Sequence, residues 1–186
     1  MTPAEAISAI ETKFQVSKKI EFRGETTLVV GRDTFLELSA YCKSELDFDS
    51  LIDISSVDNF GEEPRFDMVY ELYSRLRGQH LRLKYSVSED DLTAPTVSTL
   101  WATANWHERE VYDMMGIHFP NHPDLRRILM WEGYPFFPLR KDFPLAGKTS
   151  NVPDVAFTKV APLAGGPFVT APGCGTTKDR EPHSRG

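Results

Sequence analysis

The stretch at residues 66–87, FDMVYELYSRLRGQHLRLKYSV, decides the fold. Phe66, Met68, Tyr70 and Leu72 alternate with mostly polar residues, and so do Leu81, Leu83, Tyr85 and Val87. A period of two places each set on one face of a strand. Arg77-Gly78-Gln79 lies between the two runs, which predicts a long antiparallel hairpin. Its apolar face is covered by helices, and its other face meets water or a partner.

Upstream, residues 51–57 form a β-branched, apolar run expected to be an inner strand, and the polar loop 58–65 carries Gly61 and Pro64 as breakers. Asp33 is placed to cap a helix to about Lys43 whose buried face carries Phe35, Leu38 and Cys42. Residues 19–23 and 26–30 are β-rich around Gly24-Glu25, a second predicted hairpin. Thr2-Pro3-Ala4-Glu5 supplies a cap, a proline at the first helical position and a capping-box acid. Ile7, Ile10 and Phe14 follow at helical spacing. The order α-β-β-α-β-β-β predicts an α+β domain: a two-layer mixed sheet with helices on one face. Downstream, a short helix is expected over residues 96–103. The chain then divides into the α+β domain at 1–104, a helix plus extended strip at 105–145, and a Gly/Pro-rich extended tail at 146–186.

Composition narrows the function classes. A formal net charge of −6 and a pI near 5.4 argue against a nucleic-acid partner, whose phosphates need a basic surface. Cys42 and Cys174 are the only cysteines, too few for a four-thiolate cluster or zinc site. Cys42, among apolar neighbours on a helix, is expected to be a buried free thiol and not half of a disulfide. The first residues lack the basic and apolar regions of a signal peptide. The longest uncharged run, 160–177, is broken by Pro162, Pro167 and Pro172. A soluble, cytoplasmic chain with indirect membrane association is therefore expected.

Residues 105–145, NWHEREVYDMMGIHFPNHPDLRRILMWEGYPFFPLRKDFPL, carry the functional signal. Eight of the 21 aromatic residues fall here beside six acids and five bases, too charged for a core helix and too aromatic for a surface loop. Asn105 and Glu108 resemble a capping box and Gly116 a C-terminal stop, so 106–115 should be helical. On that wheel Glu108 falls between Met115 and Tyr112, and Glu110 between Met114 and Trp106, tilting two carboxylates towards the apolar side. Buried carboxylates need cations or several donors; Arg126, Arg127, Arg140 and Lys141 are the nearest in sequence. Arg109 and Asp113, four apart, are expected to pair on the opposite side. Beyond Gly116 the prolines force an extended strip that lies over the domain or docks on another surface.

Catalytic readings fail on geometry. Glu108 and Glu110, two apart on a helix, point in different directions and lack a nucleophile or glycine cradle. His118 and His122 have a metal-like spacing, but Pro120 between them removes the helical face it requires. His107-Glu108 lacks the second histidine of a zinc-protease motif, and no phosphate-binding or nucleophile-elbow motif occurs.

These residues resemble the thirty-kilodalton, or C, subunit of proton-pumping NADH:quinone oxidoreductase (respiratory complex I). The family signature is a Glu-Arg-Glu, an acid, two apolar residues, a His or Lys and a basic–apolar ending. Glu108-Arg109-Glu110, Asp113, Met114-Met115, His122, Arg126 and Ile128-Leu129 match it. The flanks 104–106, 121–129 and Arg140-Lys141-Asp142-Phe143-Pro144-Leu145 are also similar, and the predicted element order extends the likeness over about 1–147. The segment EGYPFFPL departs from the family's usual Gly-rich, His-containing loop, and 148–153 lacks its charged strand.

The resemblance implies a non-catalytic hydrophilic-arm subunit that binds no flavin, iron–sulfur cluster or quinone. FMN and the clusters lie in other subunits, and the chain acts in NADH oxidation and quinone reduction only as part of the assembly. Its implied partners are the quinone-site (D) subunit, which it braces, and the B and I subunits. Its implied location is the cytoplasmic side of the bacterial inner membrane, or the matrix side in a mitochondrion. Implied interface residues are Glu108, Arg109, Glu110, Asp113, His122, Asp124, Arg126, Arg127, Arg140, Lys141 and Asp142; Glu110 and Arg127 are expected to serve assembly, not the chain's own fold. One alternative is the equivalent subunit of a ferredoxin- or hydrogenase-coupled complex. A remoter one is a free-standing carboxylate/His metalloenzyme.

Overall fold

The computed structural model describes residues 3–144; Thr2 of the expected cap, Leu145, Cys174 and the expected tail at 146–186 lie outside the described residues. The chain divides into two compact units, residues 1–129 and 130–186. In the first, the elements run α1 (Pro3–Lys13), β1 (Val16–Phe22), β2 (Glu25–Val30), α2 (Arg32–Ser44), β3 (Ser50–Asp58), β4 (Phe66–Ser74), β5 (Gln79–Val87) and α3 (Ala104–Met115). The predicted order is thus present, with α3 inside the same unit as the sheet.

The five strands form one mixed sheet in the order β1-β2-β5-β4-β3. The β4–β5 hairpin pairs as its alternation requires, with Tyr70 opposite Leu83 and Met68 opposite Tyr85. Strand β5 also pairs in parallel with β2, Leu28 opposite Leu83, which closes the sheet around β5. The β1–β2 turn falls one residue earlier than expected, at Arg23-Gly24. Both residues have positive φ, 51° and 82°, as the tightest hairpin turn demands.

Helices and alternate strand residues enclose one core. Ile7 and Ile10 of α1, Phe35, Leu38 and Cys42 of α2, and Leu28, Met68, Tyr70, Leu81, Leu83 and Tyr85 of the sheet are buried. At its centre the Phe35 ring lies 4.4 Å from that of Tyr70 and 4.6 Å from that of Tyr85. Burying such a ring stabilises by about 3 kcal/mol. Cys42 is a buried free thiol, its pKa pushed up to about 12 by burial. The opposite face is polar: Arg82 bridges Glu25 and Glu71, and Ser86 donates to Asp67.

Three local expectations fail. Strand β3 is not an inner strand but an edge, paired with β4 alone. Across a bulge between Leu51 and Asp53, Ile52 faces outward, so the β-branched apolar residues of this run do not mean burial on both faces. Asp33 is not the cap of α2; Gly31 holds that position without a side-chain bond, and Asp33 sits in the first turn. No helix forms over 96–103, which consists of turns running into α3. Its Thr96 hydroxyl and Val97 N–H both donate to the Glu108 carboxylate, and that geometry replaces helical bonding.

The described part of the second unit has no regular element. Trp131, Tyr134, Phe136 and Phe143 form a chain of ring contacts with successive centroids 4.6, 5.6 and 6.2 Å apart.

Candidate interface around helix α3

Helix α3 ends where the sequence says it should, at Gly116, whose φ of 76° is left-handed and whose N–H bonds the Tyr112 carbonyl. Its start differs. Thr103 is the N-cap, and its hydroxyl donates to the Leu51 carbonyl, tying the helix to β3. Asn105 lies inside the helix and Glu108 does not reach back to it, so the expected capping box is absent. Glu108 is instead fully buried. Thr96 Oγ1 donates to it at 2.6 Å and Val97 N at 2.7 Å.

His122 Nε2 lies 3.7 Å from the Glu108 carboxylate, yet the ring is not its counter-ion. Its Nδ1 accepts the Asp124 N–H at 3.0 Å, and its Nε2 faces the Asn105 carbonyl at 3.3 Å. That arrangement needs a neutral ring protonated on Nε2. Burial accordingly holds the His122 pKa below the usual imidazole value. A carboxylate with two donors and no cation is costly to ionise, and burial raises the Glu108 pKa from 4.5 to about 7. The arginines and lysine named from the sequence as cations for the glutamates do not serve Glu108.

Helical spacing pairs Arg109 with Asp113 on an exposed side; both are in fact buried, and each binds the strip instead. Arg109 donates from Nε to the Arg126 carbonyl (3.1 Å) and from Nη2 to that of Arg127 (3.3 Å). Asp113 accepts the N–H groups of Ile128 (3.0 Å) and Leu129 (2.7 Å) and the Arg127 guanidinium. Two side chains one turn apart thus satisfy four consecutive backbone residues, and the strip needs no neighbouring strand.

The other named residues distribute unevenly. Glu110, which the wheel tilts inward, is exposed. Asp124 and Arg126 are exposed and pair with each other at 3.0 Å. Arg140 is half-buried with its guanidinium 4.6 Å above the Phe137 ring, and Lys141 and Asp142 are exposed. Left out of the implied interface residues is the apolar part of the same ridge: Trp106 is 60% exposed beneath the Arg109 guanidinium, and Leu129 is 63% exposed. Thr96 and Val97 were missed too, since nothing in a short turn announces that it will serve a carboxylate twelve residues on. Among the described residues no three His, Cys, Asp or Glu side chains converge as a metal set.

A model of the family described as "Respiratory-chain NADH dehydrogenase, 30 Kd subunit" matches residues 28–149, more than half of the chain. The chain belongs to this family. A protein of Geotalea uraniireducens, named as the C subunit of NADH-quinone oxidoreductase, is 49% identical over 127 residues, covering 68% of this chain and 77% of that one. One of the same name from Geobacter sulfurreducens is 46% identical over 145 residues, covering 76% and 90%. A solved structure, "Nqo5 of the trypsin-resistant fragment (1-134)", matches at a TM-score of 0.60 and 33% identity, covering 67% of this chain and all of that one. A chain of the membrane-bound sulfane sulfur reductase, an archaeal respiratory membrane complex, shares the fold at a TM-score of 0.65 and 24% identity. In this member of the thirty-kilodalton family, the Glu108-Arg109-Glu110 and Asp113 pattern has two uses. Glu108, Arg109 and Asp113 bind loops of the chain itself, and Glu110 faces outward.

Proposed function

We propose that the chain is a non-catalytic subunit of the hydrophilic arm of a proton-translocating NADH:quinone oxidoreductase. There it braces the quinone-site (D) subunit and lies near the B and I subunits, in a hetero-oligomer held peripherally on the cytoplasmic side of the membrane. Electrons pass from NADH to quinone through FMN and iron–sulfur centres of other subunits, and this chain binds none of those groups.

One observation carries the reading. Of the charged residues that make 105–129 look like an active site, Arg109, Asp113 and Arg127 fix the strip to α3 and Glu108 holds the 96–97 turn. What they leave outward is not a cleft with converging polar groups but a ridge bearing Trp106, Glu110, Arg126 and Leu129. Aromatic and arginine side chains with polar neighbours are the composition of a protein–protein contact. The names of the relatives support an NADH-linked assembly over a ferredoxin- or hydrogenase-coupled one. No helix among the described residues is long and apolar enough to cross a membrane, in keeping with attachment through partners.

Mild solubilisation of membranes followed by purification through this chain tests the reading. The flavin-, cluster- and quinone-site subunits should co-purify, and the chain separated from them should show no flavin or cluster absorbance. A chain that purifies alone, with a tightly bound metal and turnover of its own, would be a free-standing metalloenzyme instead.

A further inference from the structure

We propose that the loop between β3 and β4 is a preformed anchor that seats Phe60 in an apolar pocket, rimmed by basic side chains, on a neighbouring subunit of the same complex. The proposal rests on the assembly reading above and concerns a surface distinct from the α3 ridge.

Phe60 is 62% exposed, and unlike the similarly exposed Phe22 its ring rests on a buried guanidinium. Arg65 is 3% exposed and grips both oxygens of buried Asp58 at 2.8 Å, with Nη1 on Glu89 at 2.6 Å. Its Cζ lies 4.9 Å from the centroids of both Phe60 and Phe66, so the guanidinium contacts both rings. The backbone is pinned as well: Asn59 N donates to the Arg65 carbonyl at 2.8 Å, Glu62 N to the Asn59 carbonyl at 2.9 Å, and Asn59 Nδ2 to Asp67 at 3.2 Å.

A loop joining two antiparallel strands does not require a buried ion cluster, and desolvating those charges is costly. The cluster fixes a single loop conformation. An aromatic side chain already ordered in the free chain loses little entropy on docking, which is the property of an interface anchor. The surroundings specify what receives it. Glu62, Glu63, Glu89 and Asp90 are exposed, while Arg65, the arginine of this loop, is already met by Asp58 and Glu89. That field favours a pocket bordered by Lys or Arg and opposes anionic lipid or nucleic acid.

The test uses the whole complex carrying Phe60→Ala, the charge reversal Glu62→Lys with Glu63→Lys, or Leu76→Ala as a control at the exposed β4–β5 turn. Retention of the chain with its partner subunits is measured across a salt series, and the melting point of each purified variant is followed alongside. Phe60→Ala should lower retention roughly tenfold at every salt concentration, the order expected for truncating an anchor. The charge reversal, which leaves the ring and its support in place, should weaken retention at low salt and converge on wild type as salt screens it. Leu76→Ala should be retained like wild type. Wild-type retention of Phe60→Ala, or of the charge reversal at low salt, overturns the anchor alone. A wild-type chain that purifies without partners overturns the assembly reading and the anchor with it.

Discussion

At the scale of single residues, Glu108 governs how the chain responds to pH. Its pKa is raised from 4.5 to about 7, so between those values the folded chain binds a proton that the unfolded chain releases. Stability from this group is therefore fully present below about pH 4.5 and is lost as pH rises through 7. The loss amounts to ~3 kcal/mol at most. Glutamine reproduces the protonated acid: its carbonyl can accept the Val97 N–H while its amide donates to Thr96 Oγ1. Chemical denaturation at pH 5 and pH 8 should show wild type weaker at the higher pH, with Glu108→Gln flat across the range and the more stable of the two at pH 8. An equal pH slope in both proteins would assign the effect to another group. From the sequence the inward tilt of Glu108 was legible as helical phase. Its lack of a cation was not, because the groups that meet it come from the turn at 96–97 and from beyond Pro120.

Among the elements, α3 and the strip 126–129 behave as one piece. The expectation that replacing Arg127 leaves the chain's own fold intact runs against its contacts. Its guanidinium bonds both the carboxylate and, at 2.9 Å, the backbone carbonyl of Asp113, and Asp113 is wholly buried. Removing one partner of a buried pair leaves the other charge uncompensated, so Arg127→Ala should cost about 3 kcal/mol in the isolated chain. Hydrogen exchange should show the Ile128 and Leu129 amides losing protection first while β4 and β5 keep theirs. Unchanged protection at both amides would mean that Arg109 and Asp113 hold the strip without Arg127. The i, i+4 pairing of Arg109 with Asp113 failed as a prediction because helical spacing only says that two side chains can meet. Two backbone groups of the strip offer each of them better-satisfied hydrogen bonds than they offer each other.

On the scale of the whole molecule, stability and assembly separate by exposure. The core around Phe35, Tyr70 and Tyr85 supports the sheet, whereas Trp106 and Glu110 lie one turn apart on the outer side of α3. Trp106→Ala and Glu110→Ala should leave the melting point of the purified chain within a few degrees of wild type and reduce its recovery with partner subunits several-fold. Full recovery of both variants would remove the ridge from the interface and leave the family assignment untouched.

By itself the sequence determined the elements and the family: period-two runs made β4 and β5, apolar triplets at helical spacing made the buried faces of α1 and α2, and Gly116 ended α3. These are local properties, set by backbone geometry and by the side chains within a few residues. Only the tertiary structure decided that β5 lies between β2 and β4, that β3 is an edge, that Arg109 and Asp113 hold a strip and that Arg65 stiffens a loop. Those outcomes depend on which distant groups can satisfy a buried charge or an open strand edge, and a one-dimensional pattern does not carry that choice.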